Sequence, residues 1–212
     1  MSRGLGDVYK RQYWDGPAKK VVIGVAGTQS RCGVTHFVLC AANYLSNVRK
    51  KRVIVSSYDE KALDIIKKNI KLTGQAKVIQ GEEIYAAFIY ANITFLAGND
   101  EAAGFAVQEQ YDYHIIDFGQ ADYIGDIRLQ GCDRLFLIGD LSLCNYRNSL
   151  DAVYLLERRN IRNMQFMSVF YSNEGLRAYK KAVKDRPILI PVDMEPFAIS
   201  RETLIFMEEL LI

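Results

Sequence analysis

Gly27, Gly33 and Thr35 lie where an apolar run, Val21 to Ala26, gives way to a polar loop and then to an amphipathic stretch that begins at Val34. Glycines at such a strand-to-helix turn let the chain fold tightly while its backbone N–H groups face an anion. The positive end of the following helix adds to the attraction. The chemistry this predicts is phosphate binding, with Gly27, Thr28, Gln29, Ser30, Arg31, Cys32, Gly33, Val34, Thr35 and His36 around the anion. The usual loop of this kind, GxxxxGK followed by Ser or Thr, sets a lysine on the β- and γ-phosphates. Val34 occupies that position here, and the first glycine is displaced to Gly27, because the spacing points to Thr28. Such a loop is expected to hold phosphate but to promote its transfer poorly, since transfer depends on neutralising charge that develops on the terminal phosphate.

A second group of residues supports the first. Tyr111-Asp112-Tyr113-His114-Ile115-Ile116-Asp117-Phe118-Gly119 reads as an apolar strand that ends in a carboxylate followed by glycine. A carboxylate so placed can hold Mg²⁺, directly or through water, beside a phosphate loop, and the glycine can move when a terminal phosphate is present. Asp117 alone would read as a strand-end or capping carboxylate; in this order within an alternating chain it reads as a metal-side residue. Arg31 is the one evident cation in the loop, and either it meets phosphate, for which guanidinium geometry is suited, or it faces solvent. His36 either contacts ligand or packs at the helix start. His114, between Tyr113 and Ile115, is expected to be a structural strand histidine.

The elements that must position these residues are strand-length apolar runs alternating with helical periodicity, the pattern of βαβ units in one doubly wound, mostly parallel sheet with helices on both faces. Strands are expected at Val21–Ala26, Arg52–Ser57, Ile93–Ala97, Tyr113–Asp117, Leu135–Ile138, Gln165–Phe170 and Pro187–Ile190. Helices are expected at Val34–Val48, Lys61–Lys71, Asn145–Arg159, Glu174–Val183 and Ser200–Leu211. Phe37, Cys40, Ala41, Tyr44 and Leu45 recur at the spacing of one buried helix face. From Thr73 to Glu109 the turn signals permit either short helices or an irregular excursion.

At 212 residues the chain is the size of one domain, read here as residues 20–212. Residues 1–12, MSRGLGDVYKRQ, carry neither periodicity and resemble a translated adaptor sequence, so they are read as a non-native or disordered leader. They hold the whole charge excess of +2, and the remainder is formally neutral, which gives no support for nucleic-acid binding. Cys32, Cys40, Cys132 and Cys144 show no metal spacing, and His36 and His114 are the only histidines, so no zinc site is expected. Scattered thiols without a secretory leader suit a cytoplasmic protein. No run approaches the length of a transmembrane helix, and the acidic residues Glu202, Glu208 and Glu209 argue against an interfacial membrane helix at the C-terminus.

Beyond the loop, Tyr111-Asp112 precedes Ile115-Ile116-Asp117, Cys132-Asp133 precedes Leu135-Phe136-Leu137-Ile138, and Ile190-Pro191-Val192-Asp193 comes late. In this order the chain resembles the MinD/ParA group of deviant P-loop ATPases over nearly everything after residue 20. The resemblance implies ATP or ADP with Mg²⁺ as cofactors. It implies that Thr35 and Asp117 would hold the metal, that Gly119 would sit near the phosphates, and that Pro191 and Asp193 would border the base. Asp59 falls near the group's switch aspartate. It also implies protein partners, including a nucleotide-dependent homodimer. Aligned on KGGxGKT, Val34 replaces the phosphate-binding lysine and Gln29 the signature lysine that crosses the dimer interface. Degenerate loops of this kind resemble the TadZ/CpaE branch, which helps localise pilus machinery and hydrolyses ATP poorly. Three functional readings stand open at this point: a nucleotide-binding positioning or assembly factor with weak or absent hydrolysis, an active ATPase in which Arg31 substitutes for lysine, and an interaction module that binds no nucleotide.

Overall fold

The computed structural model describes residues 20–58, 68, 74–80, 83–96, 111–120, 127–161, 164–183 and 185–212. Val21–Gly27 (β1) is flanked by Tyr113–Gln120 (β6) and Arg134–Leu141 (β7), both parallel to it. Val53–Ser57 (β2) adds to β6, and Met164–Tyr171 (β8) and Ile188–Leu189 (β9) add beyond β7, again in parallel. Ile93–Leu96 (β5) runs parallel to β2. The chain moves from β1 to one side of the sheet and crosses to the other side after β6, so β1 stands where the winding reverses. In open α/β sheets that is where a crevice forms at the carboxyl ends of the strands.

Between β2 and β5 the chain departs from expectation. Neither short helices nor an irregular excursion occupies the described part of this region: Gly74–Gln80 (β3) and Glu83–Tyr90 (β4) form an antiparallel hairpin, and β4 pairs antiparallel with β5. The tight β4–β5 turn carries Ala91 and Asn92 at φ 48° and 62°, a left-handed pair matched to the twist of a two-residue hairpin. Neither residue is glycine, so the sequence lacks the usual mark of such a turn. The complete order is β3-β4-β5-β2-β6-β1-β7-β8-β9. The expected helix Lys61–Lys71 and the N-terminal twelve residues lie outside the described residues, Lys68 apart.

Helices cover both faces. Val34–Asn43 (α1) continues into a π-helical turn at Tyr44–Val48, closed by the Arg49 N–H on the Tyr44 carbonyl at 3.1 Å. Together with Arg201–Leu211 (α5) it buries Phe37, Tyr44, Leu45, Met207 and Leu211 against one side of the sheet. Ile127–Gln130 (α2), Tyr146–Arg158 (α3) and Asn173–Ala182 (α4) cover the other, with Leu129, Val153, Leu156 and Tyr179 buried. Each fully buried large apolar side chain of this kind contributes roughly 1.5–3 kcal/mol. Local capping agrees: the Ser172 and Ser200 hydroxyls accept the Gly175 and Thr203 N–H groups, and Lys180 and Lys181 sit at the negative end of α4.

Two aspartates of the sequence motifs act as staples at the amino ends of the strands. Asp112 accepts the Arg52 backbone N–H at 2.8 Å and its guanidinium at 2.9 Å, tying β6 to β2. The hydrogen bond and charge of Arg52 outweigh burial and hold the Asp112 carboxyl below the usual range. Asp133 accepts the Val22 N–H at 2.9 Å and ties β7 to β1.

Candidate functional site

The loop that leaves β1 folds back over its own first glycine. A Cβ on Gly27 would lie 2.6 Å from the Cys32 sulfur and 2.7 Å from a Val34 methyl, so only glycine fits beneath the loop. The Cys32 thiol donates to the Ile138 carbonyl at 3.3 Å, and the Thr28 N–H reaches the same carbonyl at 2.8 Å, which anchors the loop to β7. Burial pushes the Cys32 thiol up, against backbone hydrogen bonds that act to lower it, so the sulfur stays neutral beside any anion. The Thr28 hydroxyl lies 3.3 Å from the Ser149 hydroxyl, which also bridges the N–H and carbonyl of Asp140. Arg31 is exposed and left-handed at φ 62°, and Gly33 follows at φ 103°.

Helix α1 starts directly after Gly33 with no side-chain cap. Its first N–H groups therefore turn toward the loop with the positive end of the helix behind them. Thr35, in the first turn, donates its hydroxyl to the Asp117 carboxylate at 2.7 Å. The other Asp117 oxygen accepts the Gly119 N–H at 2.8 Å, and Gly119 adopts φ 64°, which favours glycine. Asp117 is nearly fully buried in the carboxyl half of β6, paired across the sheet with Val25. The sequence thus places the loop and the strand-end carboxylate on one hydrogen bond. Hydroxyl and carboxylate oxygens are the hard donors that suit Mg²⁺. No group of three or more His, Cys, Asp or Glu side chains placed to hold a metal exists among the described residues, so an ion here would complete its shell with water and phosphate oxygens.

Beside the loop opens a cavity of about 270 Å³. Arg31, Cys32 and Gly33 form one wall, and Ile190 to Met194 form another. Phe37, Cys40 and Met207 line the apolar base, and His36 and Thr203 are among the polar residues on its lining. The His36 Nε2 is buried without a hydrogen-bond partner. Burial would raise the Asp193 carboxyl, but hydrogen bonds from Thr203 and Ser200 and the nearby His36 hold it below the usual range. Asp193 accepts the Ser200 N–H at 2.8 Å and so pins the 190–194 segment to the start of α5. A larger cavity, about 580 Å³, lies at the opposite end of β8 between α3 and α4 and touches no loop residue. The smaller one is the candidate, because it meets the carboxyl ends of the strands and the open helix terminus together.

Of the residues singled out in the sequence, Arg31, Cys32, Gly33, His36, Pro191 and Asp193 line this cavity. Thr35 meets Asp117, whose other oxygen accepts the Gly119 N–H, and Gly27, Thr28, Gln29 and Ser30 form the start of the loop, anchored on β7 by the Thr28 N–H. Val34, at the lysine position, is buried and packs over Gly27. Asp59 lies outside the described residues. The sequence reading missed Phe37, Cys40, Val169, Phe170, Met194, Thr203 and Met207 on the cavity wall. Phe37 and Cys40 were legible as one helix face next to the loop, and Val169 and Phe170 as the carboxyl end of a strand.

No protein-family model matches the chain, and no curated protein matches it in sequence. Solved structures do resemble it. The MinD cell division protein of Aquifex aeolicus superposes with a TM-score of 0.66 at 17% identity, over 90% of this chain and 96% of that one. A ParA family ATPase from Chlorobium tepidum gives a TM-score of 0.56 at 17% identity, over 91% and 92%. An ATP complex of a Cyanothece McdA variant gives 0.58 at 13% identity, over 92% and 91%. At these identities the likeness is one of fold: the chain has the α/β fold of the MinD and ParA-family ATPases.

Proposed function

We propose that this chain is a nucleotide-binding protein of the MinD/ParA kind that takes ATP or ADP with Mg²⁺, hydrolyses it slowly or not at all, and acts as a positioning or assembly factor through protein contacts. The observation that carries the reading is the Thr35–Asp117 contact at 2.7 Å, on the helix start whose neighbouring residues 31–33 and 36 line a cavity shared with residues 190–194. The likeness in fold to a McdA–ATP complex supports the choice of ligand. In this reading the α1 N–H groups and the loop backbone bind the phosphates, Thr35 and Asp117 hold the ion, and the apolar cavity floor takes the base. Bound Mg²⁺ would supply charge neutralisation between phosphate oxygens.

Weak hydrolysis follows from the side chains present. Val34 is apolar and buried where a cation would reach the phosphates, and Gln29 carries no charge for a second subunit. Removing such cations costs phosphoryl transfer several orders of magnitude. A nucleotide-dependent homodimer fits the rim of the site, where Phe170, Val192 and Met194 are 54%, 64% and 87% exposed. Arg31, on the cavity wall, favours the second reading, an ATPase in which its guanidinium replaces the lysine. A thermal-shift series with Mg-ATP, followed by single-turnover hydrolysis, separates the readings. Ligand at 100 times its dissociation constant should add about 2.7 kcal/mol to stability. A shift without turnover supports the first reading, a shift with turnover lost in Arg31→Ala supports the second, and no shift leaves an interaction module.

A further inference from the structure

Two asparagines one turn apart, Asn43 and Asn47, and a third distant in sequence, Asn92, form a directional chain of amide hydrogen bonds behind the cavity. The Asn92 side chain, at the β4–β5 turn, donates to the Asn47 Oδ1 at 2.8 Å. Asn47 donates to the Asn43 Oδ1 and to the Ala91 carbonyl, both at 2.8 Å. Asn43 donates in turn to the Pro196 carbonyl at 3.0 Å. Each amide donates with its nitrogen, and Asn47 and Asn43 also accept with their oxygens, so a reversed amide would break the chain. Ser46 adds a bond to the Asn92 carbonyl at 2.8 Å, and Tyr90 meets Phe197 edge to face at 4.8 Å. Asn43 is buried, where an unmet amide is costly.

The two ends of this chain lie on different parts of the molecule. One is the tip of the antiparallel addition to the sheet. The other is the segment 190–197, whose first half forms a wall of the cavity. That half is held by the Ile190 N–H on the Ser168 carbonyl and by Asp193 on Ser200, while Pro196 takes its bond from Asn43. The π-helical turn at Tyr44–Val48 widens the helix where Ser46 and Asn47 reach the hairpin. A regular helix would carry Asn47 round to another angle.

We propose that Asn43, Asn47 and Asn92 are positioning residues that hold the 190–197 segment in place for the base end of a nucleotide, leaving its phosphate end to the loop and α1. This rests on the nucleotide reading of the cavity, and two measurements on the full chain keep the two claims apart. The first is calorimetry with ADP and with inorganic pyrophosphate, each with Mg²⁺. Asn47→Asp, which removes the bonds to Asn43 and to Ala91, should weaken ADP roughly five- to tenfold, the low end for two lost hydrogen bonds, while pyrophosphate changes less than about twofold. Asn92→Ala, at the exposed turn, should act in the same direction more weakly and serves if Asn47→Asp fails to fold. Equal losses for both ligands, or none for either, would overturn the proposal. The second is amide hydrogen exchange of the ligand-free protein, in which either variant should speed exchange at Val192 to Ala198 and leave residues 27–35 unchanged. If the wild type binds neither ligand, the nucleotide reading fails, and exchange alone then decides whether the asparagines hold this segment: unchanged rates at 192–198 overturn it.

Discussion

Val34→Lys should lower the stability of the ligand-free protein and raise its affinity for ATP. Val34 is 8% exposed, and one of its methyls lies 2.7 Å from the point where a Cβ on Gly27 would stand. A lysine stem can follow the same path but gives up one branch of that packing, about 1 kcal/mol by the usual cost of a lost buried methyl. For a chain of this length that is a fall of about 2–4 °C in Tm. The ammonium cannot stay buried and must extend to the loop interior, where β- and γ-phosphates would lie. A hydrogen bond to a charged group contributes about 1.5–3 kcal/mol, so ATP should bind roughly 10- to 100-fold tighter. AMP, without those phosphates, should be unaffected. Calorimetry with ATP, ADP and AMP, with a melting curve of each protein, reads all of this. Equal changes for ATP and AMP, or none in a folded variant, would refute the placement of phosphates at this loop. Turnover should rise less than affinity, because Gln29 still carries no charge.

Gly27→Ala should cost about 1–3 kcal/mol in urea unfolding, since its Cβ meets Cys32 and Val34; Cys32→Ala in the same chain should restore part of the loss by removing the sulfur at 2.6 Å. Arg31→Ala should weaken ATP more than ADP by calorimetry if the guanidinium meets the terminal phosphate, and should leave unfolding unchanged within about 0.5 kcal/mol because the side chain is exposed. His114 is buried against the Ser56 hydroxyl at 2.8 Å, and burial, then the charge of Lys20, lowers its pKa from 6.5 to about 3. Between those values the unfolded chain holds a proton that the folded chain refuses. Stability should therefore fall as pH drops below about 6.5, by up to about 1.4 kcal/mol per pH unit from this group. Denaturant titrations of His114→Gln across this window should show a flatter dependence than the wild type, and an unchanged slope would place the titration elsewhere.

The fold was readable because its signals are local. Most parallel strands of this sheet appear as apolar runs, and the seven runs at β1, β2, β5, β6, β7, β8 and β9 each became a strand with ends shifted by a few residues. The helix expected from Ser200 starts there, with the Ser200 hydroxyl accepting the Thr203 N–H, and the one expected from Glu174 starts one residue earlier, capped by Ser172. The antiparallel pairing of β4 with β5 was not readable: their turn uses Ala91-Asn92 where Gly would be the sign. The change from α to π geometry at Tyr44 left no mark either: the partners that Tyr44 and Ser46 find there, Glu208 and Asn92, are distant in sequence. At the site, the loop and Asp117 were legible as motifs, and the sheet brings them together. The cavity floor was not, because Met207 and Thr203 reach it from the last helix through tertiary packing alone. Asp112 and Asp133 show the converse: they help make the family resemblance visible, yet their carboxylates hold strands together at the end of the sheet away from the cavity.

On the proposed function, a nucleotide with Mg²⁺ binds where Thr35 meets Asp117. Calorimetry of the full chain with ATP, ADP and GTP, with Mg²⁺ and then with chelator, tests it against Thr35→Val and Asp117→Asn. One site per chain for an adenine nucleotide is expected, weakened by chelator and weakened at least tenfold in both variants, about the effect of a lost charge-assisted contact. Absence of binding heat for all three nucleotides at millimolar concentration, with no thermal shift to match, would contradict it, as would binding that neither variant alters.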